Sequence, residues 1–399
     1  MHVGDSRLLG HQVSKERKNH FMDFRNLTQW LDSLLQHGIP ASETMISFQG
    51  KTVYHHTVGF SDENATHPVT ERDIYWLYSL SKPMTACAVM QLVESGKVGL
   101  DVPVNHYLPE LSSWTVRDAD GVRPAHEAPT IRQLLSMRGG LNYDLNAAPI
   151  RECLEKSGGL AGTRELVAAI AREPLQFEPG THFNYSLCHD VLGAVVEAVS
   201  GQSFGEYMKQ HIFTPLGMKD TGFTMTKQQR DRLSTPYMQE TGTTNNKAIG
   251  PENGFRLSDS YESGGAGIFS VASDYLLFAE AMSNGGVGRT GNQILKSETI
   301  DLLRTDQMDD ICRKDFDLIG RPGYSYGLGV RTMIDPKAGN AESPIGEFGW
   351  DGAAGSYALM DPENHLAVVY MQHVHNCSYA YSDIHPTLRN YTYRAIFNR

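Results

Sequence analysis

Residues 78–86 read Tyr-Ser-Leu-Ser-Lys-Pro-Met-Thr-Ala, and the interpretation of the whole chain starts from this stretch. Ser79 and Lys82 form a Ser-x-x-Lys spacing that occurs nowhere else in the sequence. On a helix, two residues three positions apart lie on the same face. Residues 84–93 are apolar nearly all round, which predicts a buried helix with Ser79 at its N-terminus. Pro83 suits the first turn of that helix, and Gly96 suits its end.

This placement favours nucleophilic chemistry at Ser79. The N-terminal end of a helix favours developing negative charge. A buried lysine is shifted toward its neutral form, in which it acts as a base. A serine hydroxyl needs such a neighbour to become a nucleophile. The same spacing is also found on solvated helices, but an unpaired lysine beside an apolar helix is costly, and this cost favours the catalytic interpretation.

Composition narrows the class of protein. The 399 residues suffice for two or three average domains or for one large two-part domain. Hydrophobic residues make up 40% and charged residues 20%, as in ordinary soluble globular proteins. The formal net charge of -11 argues against nucleic acid or an anionic membrane as a partner.

Cysteine usage and the N-terminal segment predict a cytoplasmic protein. The five cysteines are scattered and show no Cys-x-x-Cys pairing, which indicates free thiols in a reducing compartment. Residues 1–20 are polar, are interpreted as a loose leader, and have no apolar core of the kind a secretory signal requires. No run of 18 apolar residues is present, so no transmembrane helix is expected. Export by another route stays open.

The order of predicted elements indicates one sheet built from both ends of the chain. Residues 21–37 predict an amphipathic helix, and strands are predicted within 45–60 and 326–372. Helices fill the middle, and 309–325 is expected to be a loop. The predicted boundaries are an α/β domain of residues 21–100 and 262–399, with a helical domain of residues 101–261 inserted. The cleft between two such lobes is a favoured place for a site.

Two other segments carry candidate site residues. Tyr185 lies between a Pro-Gly turn and the helix predicted from Asp190 to Ser200. Beside a lysine ammonium its pKa would be lowered, and its phenolate would take the proton of Ser79; the alternative is a core tyrosine. Residues 349–355, Gly-Trp-Asp-Gly-Ala-Ala-Gly, precede a strand. A backbone N–H from this segment could complete an oxyanion hole with that of Ser79, although such glycine-rich turns are common.

Two further patterns are interpreted as structural. Residues 201–205, Gly-Gln-Ser-Phe-Gly, match the Gly-x-Ser-x-Gly elbow of α/β-hydrolases, but a helix rather than a strand precedes them. Ser203 is therefore assigned to a helix–turn–helix corner. His373 and His375 alternate on a strand face, yet no acidic residue or cysteine stands at ligand spacing, so no metal site is predicted.

Three motifs in fixed order give the chain a family resemblance over about residues 25–375. The chain resembles the serine β-lactamase and penicillin-binding-protein superfamily, in particular its family VIII carboxylesterase branch. Residues 79–82 match the first motif of that superfamily, and residues 185–187 match the position of Tyr-x-Asn. Residues 350–352 match the position of Lys-Thr-Gly, which the esterase members often carry as Trp-Gly-Gly.

The resemblance implies a fold and a mechanism. The fold would be β-lactamase-like, with an antiparallel sheet flanked by helices and an inserted helical domain. Ser79 would be the nucleophile that forms an acyl-enzyme, and Lys82 and Tyr185 would be the proton-transfer pair. The backbone N–H groups of Ser79 and Ala353 would form the oxyanion hole. No cofactor is implied.

The chain departs from the family pattern at positions expected to bind substrate. Leu187 replaces an asparagine and Trp350 replaces a lysine, and both changes argue against β-lactam substrates. Asp351, next to Gly352, adds a carboxylate that either repels anionic substrates or caps a turn. Residues 137–140, Met-Arg-Gly-Gly, stand where many members have His-Thr-Ser-Gly.

The sequence therefore predicts a serine hydrolase that cleaves carboxylic esters with short to medium acyl chains. Within the same chemistry, acyl transfer, D-amino peptide hydrolysis and weak β-lactam hydrolysis are alternatives. An alternative of another class is a non-catalytic ligand-binding protein that keeps the fold. The predicted partner is a small-molecule ester, and the oligomeric state is left open.

Overall fold

The computed structural model describes residues 22–398, so the predicted leader of residues 1–20 lies outside the described chain. Its strands are β1 (Ala41–Phe48), β2 (Lys51–Gly59), β3 (Tyr75–Trp76), β4 (Thr115–Asp118), β5 (Gly121–Pro124), β6 (Tyr237–Gln239), β7 (Asn246–Ala248), β8 (Phe269–Ser270), β9 (Tyr324–Tyr326), β10 (Arg331–Met333), β11 (Phe348–Asp351), β12 (Tyr357–Asp361), β13 (Leu366–Met371) and β14 (Val374–His375).

Its α-helices are α1 (Arg25–Ser33), α2 (Ser81–Glu94), α3 (Ile131–Leu135), α4 (Ala148–Lys156), α5 (Thr163–Ile170), α6 (Cys188–Ser200), α7 (Phe204–Met208), α8 (Thr214–Leu216), α9 (Lys227–Arg230), α10 (Ala272–Ser283), α11 (Ser297–Leu303), α12 (Asp310–Asp317) and α13 (His385–Phe397). Short 3₁₀ turns cover Leu34–His37, Tyr78–Leu80, Val104–His106 and Pro109–Leu111, and π-helical turns cover Lys209–Phe213 and Ala380–Ile384.

Seven strands form one antiparallel sheet in the order β2-β1-β13-β12-β11-β10-β9. Strands from both ends of the chain meet where β1 pairs with β13, with Met45 opposite Val369. Nearly all residues of both strands are buried, as expected for strands inside a sheet that is covered on both faces. The fold class predicted from the sequence is confirmed, while the exact domain boundaries stay a prediction.

Two hydrophobic layers cover the sheet. α1 and α13 pack on its outer face around a core that includes Leu31, Val368 and Leu388. α2 and α10 pack on its inner face, where the main core continues into the helices of residues 101–261. The segment with the Ser-x-x-Lys spacing thus begins the helix that joins the sheet to the helical part.

The structure corrects the sequence prediction in one segment that bears on the site. Residues 309–325 were expected to form a loop, but α12 lies within them, and the side chain of Asp309 accepts hydrogen bonds from the N–H groups of Ile311 and Cys312. Such an N-cap stabilises a helix by about 1 kcal/mol. The charged residues that suggested a loop lie on the exposed side of an amphipathic helix, whose buried side carries Cys312 and Phe316.

The thiol prediction is confirmed, since all five cysteines are free. Between residues 22 and 398, no helix combines the length and the apolar character needed to cross a bilayer.

Candidate active site

Ser79 lies in the 3₁₀ turn immediately before α2. Its neighbours Tyr78 and Leu80 are buried, whereas Ser79 keeps partial exposure. Tyr78 has a left-handed φ of 47°, a strained backbone conformation for a bulky residue. The Tyr78 hydroxyl shares a hydrogen bond with Nε2 of His375 at 2.9 Å, which helps to hold the strained turn. His375 therefore has a structural contact, as predicted, and His373 likewise bonds the backbone carbonyl of Ser234.

Lys82 is fully buried and points its ammonium nitrogen at Ser79. Its Nζ donates to Ser79 Oγ at 3.1 Å, to the Tyr143 hydroxyl at 3.3 Å and to the Gly265 carbonyl at 2.9 Å. Burial lowers the pKa of Lys82 to about 7, although the nearby Asp190 opposes the shift. A large fraction of the Lys82 side chain is therefore neutral near pH 7 and able to accept a proton.

Asp190 is a site residue that the sequence interpretation missed. It lies in the first turn of α6 with no solvent exposure and accepts hydrogen bonds from Tyr261 and Ser263, both at 2.6 Å. Its second oxygen, Oδ2, has no hydrogen-bond partner among the described residues. Its negative charge raises the pKa of Lys82 against the effect of burial. A charged residue inside an apolar helical run was the signal that could have found it.

Tyr185 precedes α6 and lies between Lys82 and Trp350. Its hydroxyl accepts a hydrogen bond from Nε1 of Trp350 at 2.9 Å, and the two rings stack with centroids 5.4 Å apart. Lys82 Nζ lies 4.5 Å from the centroid of the Tyr185 ring, and Ser79 is within hydrogen-bonding reach of the Tyr185 hydroxyl. The structure thus brings together the three residues that the sequence assigned to catalysis.

The expected phenolate at Tyr185 is wrong. Burial raises the pKa of Tyr185, and this effect outweighs the hydrogen bonds from Ser79 and Trp350. Lys82 also approaches the face of the Tyr185 ring, so its charge does not act on the phenolic oxygen alone. With its pKa raised in this way, Tyr185 is a neutral phenol at pH 7, whereas burial lowers the pKa of Lys82 to about 7.

Tyr143 is a second tyrosine at the site, and no spacing in the sequence pointed to it. Its hydroxyl accepts from Lys82 and is within hydrogen-bonding reach of Ser79. Its ring stacks on Tyr185 at 5.9 Å and contacts Phe255 edge-on at 5.8 Å. Burial raises its pKa, so Tyr143 is also a neutral phenol at pH 7.

The backbone around Ser79 and Ala353 suits an oxyanion hole. Within the described chain, no protein group accepts a hydrogen bond from the N–H of either residue. Gly352 lies close against the turn before Ser79, since a Cβ there would come within 2.5 Å of the Leu77 carbonyl. The absence of a side chain at Gly352 thus lets the segment that carries Ala353 approach Ser79.

The other residues predicted to bind substrate are Trp350, Asp351 and Leu187, and all three are buried. Trp350 is buried between Tyr185 and Tyr326, so it forms part of the wall behind Tyr185. Asp351 is also buried and binds the guanidinium of Arg321, with contacts of 3.0 and 3.2 Å. Leu187 is buried in the main core where α6 begins, and no hydrogen bond or ring contact links it to Ser79 in the described chain.

Arg138, in the segment that departs from the family pattern, has a structural role. Its guanidinium donates to the carbonyls of Gln307 and Gly180 and pairs with Asp309, which caps α12. It therefore ties the end of the α3 segment to the chain that leads into α12.

The chain is similar to known proteins over most of its length. The model of the Beta-lactamase family matches residues 20–377. Esterase EstB of Burkholderia gladioli is 29% identical over 378 residues, which cover 88% of this chain and 91% of EstB. The solved structure of EstCE1, described as a hydrolase with promiscuous acyltransferase activity, is 27% identical, with a TM-score of 0.76 over 93% of this chain and 98% of EstCE1. Simvastatin synthase (LovD) of Aspergillus terreus shares the fold, with a TM-score of 0.77 at 21% identity over 93% of this chain and 98% of LovD.

Proposed function

This chain belongs to the beta-lactamase family and is a serine hydrolase of that fold, and we propose that it cleaves carboxylic esters with short to medium acyl chains. The observation that carries the proposal is the 3.1 Å hydrogen bond from Lys82 Nζ to Ser79 Oγ, made by a lysine whose pKa burial lowers to about 7. The esterase activity named for EstB and the hydrolase activity named for EstCE1 support the same class of reaction.

In the proposed mechanism, neutral Lys82 takes the proton of the Ser79 hydroxyl as Oγ attacks the ester carbonyl. The carbonyl oxygen becomes an oxyanion that accepts hydrogen bonds from the N–H groups of Ser79 and Ala353. The proton then passes to the departing alcohol through the neutral phenol of Tyr185, and the acyl group stays on Oγ. In the second half of the reaction, water attacks the acyl-enzyme and Lys82 accepts its proton. The bond between the acyl carbon and Oγ then breaks, the proton returns from Lys82 to Oγ, and the carboxylic acid leaves.

The wall around this serine favours an uncharged acyl group. Trp350, Tyr185, Tyr143 and Phe255 surround the site with aromatic rings. Burial of an apolar acyl chain against such rings makes the free energy of binding more favourable by about 25 cal/mol per Å² of apolar surface removed from water. Of the described side chains within hydrogen-bonding reach of Ser79, Lys82 alone can carry a positive charge, and the proposed mechanism needs it in its neutral form. A β-lactam carboxylate would therefore lack a free cation on this inner face.

Acyl transfer to an alcohol is the second candidate reaction. The promiscuous acyltransferase activity named for EstCE1 favours this reaction. The aromatic rings around the serine favour it too, because an apolar pocket binds an alcohol acceptor and excludes water. We further propose that the protein works in the cytoplasm as an enzyme without cofactor on a small-molecule ester.

A comparison of kcat/KM for p-nitrophenyl butyrate and nitrocefin on one preparation tests the proposal, with p-nitrophenyl acetate and p-nitrophenyl dodecanoate as the short and long acyl controls. We expect the butyrate ester to be the best of these substrates and nitrocefin to be turned over poorly or not at all. A higher value for nitrocefin, or no turnover of any ester together with no labelling by a fluorophosphonate, would refute the ester hydrolase proposal. Added 1-butanol that yields butyl butyrate would demonstrate acyl transfer.

A further inference from the structure

A cavity of about 290 Å³ lies on the face of β11 opposite to Trp350. Along this strand, Trp350 points to the inner face, toward Tyr185, whereas Asp351 and its cross-strand partner Tyr357 point to the outer face. The cavity therefore lies between the sheet and α13, whose His385 stacks on Tyr357 with ring centroids 4.6 Å apart. Its mouth is at the surface, where Gly320, Pro322 and Ser382 are exposed.

We call it the arginine cavity because three guanidinium groups line it, those of Arg321, Arg331 and Arg389. Arg331 and Arg389 are 1% and 2% exposed, so both charges are removed from water. Tyr324, Tyr357 and Tyr381 supply the aromatic part of the wall. Burial lowers the pKa of His385, which also lines the cavity, to about 4, so its ring is neutral at pH 7.

The protein does not neutralise this positive charge completely. Arg321 pairs with Asp351, and Arg331 makes a long contact of 3.5 Å with Glu347. Arg389 forms no ion pair with any carboxylate of residues 22–398; it donates instead to the hydroxyl of Tyr324, to the side-chain carbonyl of Asn390 and to backbone carbonyls. Nη1 of Arg331 is buried and has no hydrogen-bond acceptor in the described chain. A buried cation without a counter-ion is costly, so an anion that enters the cavity would relieve a real deficit.

From this deficit and from the volume and lining of the cavity, we propose that the arginine cavity is a second ligand site that binds one small organic carboxylate. Guanidinium groups bind carboxylates through charge-assisted hydrogen bonds. The volume is near the lower end of the roughly 300–1,000 Å³ typical of small-molecule pockets, and the tyrosine rings offer an apolar surface that inorganic phosphate cannot use. A flat, singly charged acid of the size of benzoate fits both features.

The arginine cavity is connected to the backbone that carries Ala353. Tyr381 donates its hydroxyl hydrogen to the Gly352 carbonyl at 2.9 Å, and the His385 ring is hydrogen-bonded to the Gly355 carbonyl at 2.9 Å. Both side chains line the cavity. The wall of the arginine cavity is therefore held by hydrogen bonds to the backbone on both sides of Ala353.

Isothermal titration of the full-length protein with sodium benzoate, and separately with inorganic phosphate, tests the site. We expect one benzoate per chain and much weaker binding of phosphate. Removal of Arg331 would deprive buried Glu347 of its ion pair, and removal of Arg321 would do the same to buried Asp351. The main variant is therefore Ser382→Trp, which fills the exposed mouth, and Arg321→Gln is titrated after thermal unfolding has shown that it is folded. Ser382→Trp should abolish benzoate binding, and Arg321→Gln should weaken it by about tenfold or more.

Arg230→Gln is the matched control, because Arg230 is an exposed arginine whose partner Glu252 is also on the surface; this variant should bind benzoate as the wild type does. A repeat titration after Ser79 has been labelled by a fluorophosphonate separates the arginine cavity from the active site, since a separate site keeps its affinity. Any of four results would overturn the proposal. Benzoate binding is not saturable, it is lost when Ser79 is labelled, phosphate binds equally well or more tightly, or Ser382→Trp binds benzoate as the wild type does. The binding experiment needs no turnover, so failure of the ester assay would leave it intact.

Discussion

The indole N–H of Trp350 donates a hydrogen bond to the hydroxyl of Tyr185 at 2.9 Å. The family motif has a lysine at the Trp350 position in β-lactamases, so here a neutral donor holds the tyrosine where those enzymes place a cation. A neutral donor orients the phenol without favouring its ionised form, and burial raises the pKa of Tyr185. In the proposed mechanism, proton abstraction at Ser79 therefore depends on Lys82.

Replacement of Trp350 by phenylalanine tests this relationship. Trp350→Phe keeps an aromatic ring against Tyr185 but removes the N–H donor. Loss of a neutral hydrogen bond costs about 0.5–1.5 kcal/mol, so kcat should fall about 2- to 10-fold. Trp114→Phe is the matched control, because Trp114 is equally buried in the helical part and its Nε1 has no acceptor in the described chain. An equal effect of both variants on kcat would show that the Trp350 hydrogen bond does not matter for turnover.

Ser79 lies in the Ser-x-x-Lys motif and Ser203 in the Gly-x-Ser-x-Gly pattern, and their alanine variants should differ in activity. Ser79→Ala should lower kcat by roughly 10⁴-fold or more, because it removes the proposed nucleophile. Ser203 is the N-cap of α7 and accepts from the Glu206 N–H at 3.2 Å, which confirms the predicted helix–turn–helix corner. Ser203→Ala should keep most of the activity and lose about 1 kcal/mol of unfolding free energy. Mass spectrometry of fluorophosphonate-treated protein checks this assignment, and a label on Ser203 would contradict it.

Lys82 and Tyr185 are expected to act as one unit. Lys82→Ala and Tyr185→Phe should each lower kcat by roughly 10²–10⁴-fold, the range for loss of acid–base catalysis. The kcat of the double variant should be only a little lower than that of the less active single variant, because the effects of residues that act together are not additive. Steady-state kinetics of the four proteins measures the coupling. Losses that multiply in the double variant would mean that the two residues serve separate steps.

The pH dependence of activity should follow the lysine. Below its pKa of about 7, Lys82 is protonated and cannot take the proton of Ser79, so kcat/KM should rise as the pH passes through about 7. The midpoint of kcat/KM against pH reports a group of the free enzyme. A flat profile between pH 5 and 9 would exclude Lys82 as the base.

Asp190→Asn should move this midpoint to lower pH. The Asp190 carboxylate raises the pKa of Lys82, so its removal makes Lys82 easier to deprotonate. The asparagine carbonyl can still accept the hydrogen bonds from Tyr261 and Ser263. Asp361→Asn is the control, because Asp361 is also buried and accepts a hydrogen bond from Tyr393 on the outer side of the sheet. The midpoint of kcat/KM against pH should not change in this variant. A midpoint that stays in place or rises in Asp190→Asn would show that the Asp190 charge does not tune Lys82.

Much of the fold and the main site residues were predictable from local sequence. The 3.6-residue period identified several helices, segments bounded by turn residues indicated the strands within 45–60 and 326–372, and the three-residue spacing of Ser79 and Lys82 placed both on one side of a predicted helix. Tyr185 was predicted from its motif. α12 was missed because only two of its eight residues, Cys312 and Phe316, are buried, so charged residues dominate the segment as they do in a polar loop.

The sequence by itself determined the contacts that a few neighbouring residues can make, because the geometry of a helix turn or a strand is the same wherever it occurs. Only the tertiary structure decided that Tyr143 and the Gly265 carbonyl meet Lys82, that Arg321 neutralises Asp351, and that Asp190 lies near the lysine. It also decided the protonation of Tyr185. A pKa depends on the balance between burial and neighbouring charge, and both are set by residues that are distant along the chain and adjacent only after folding.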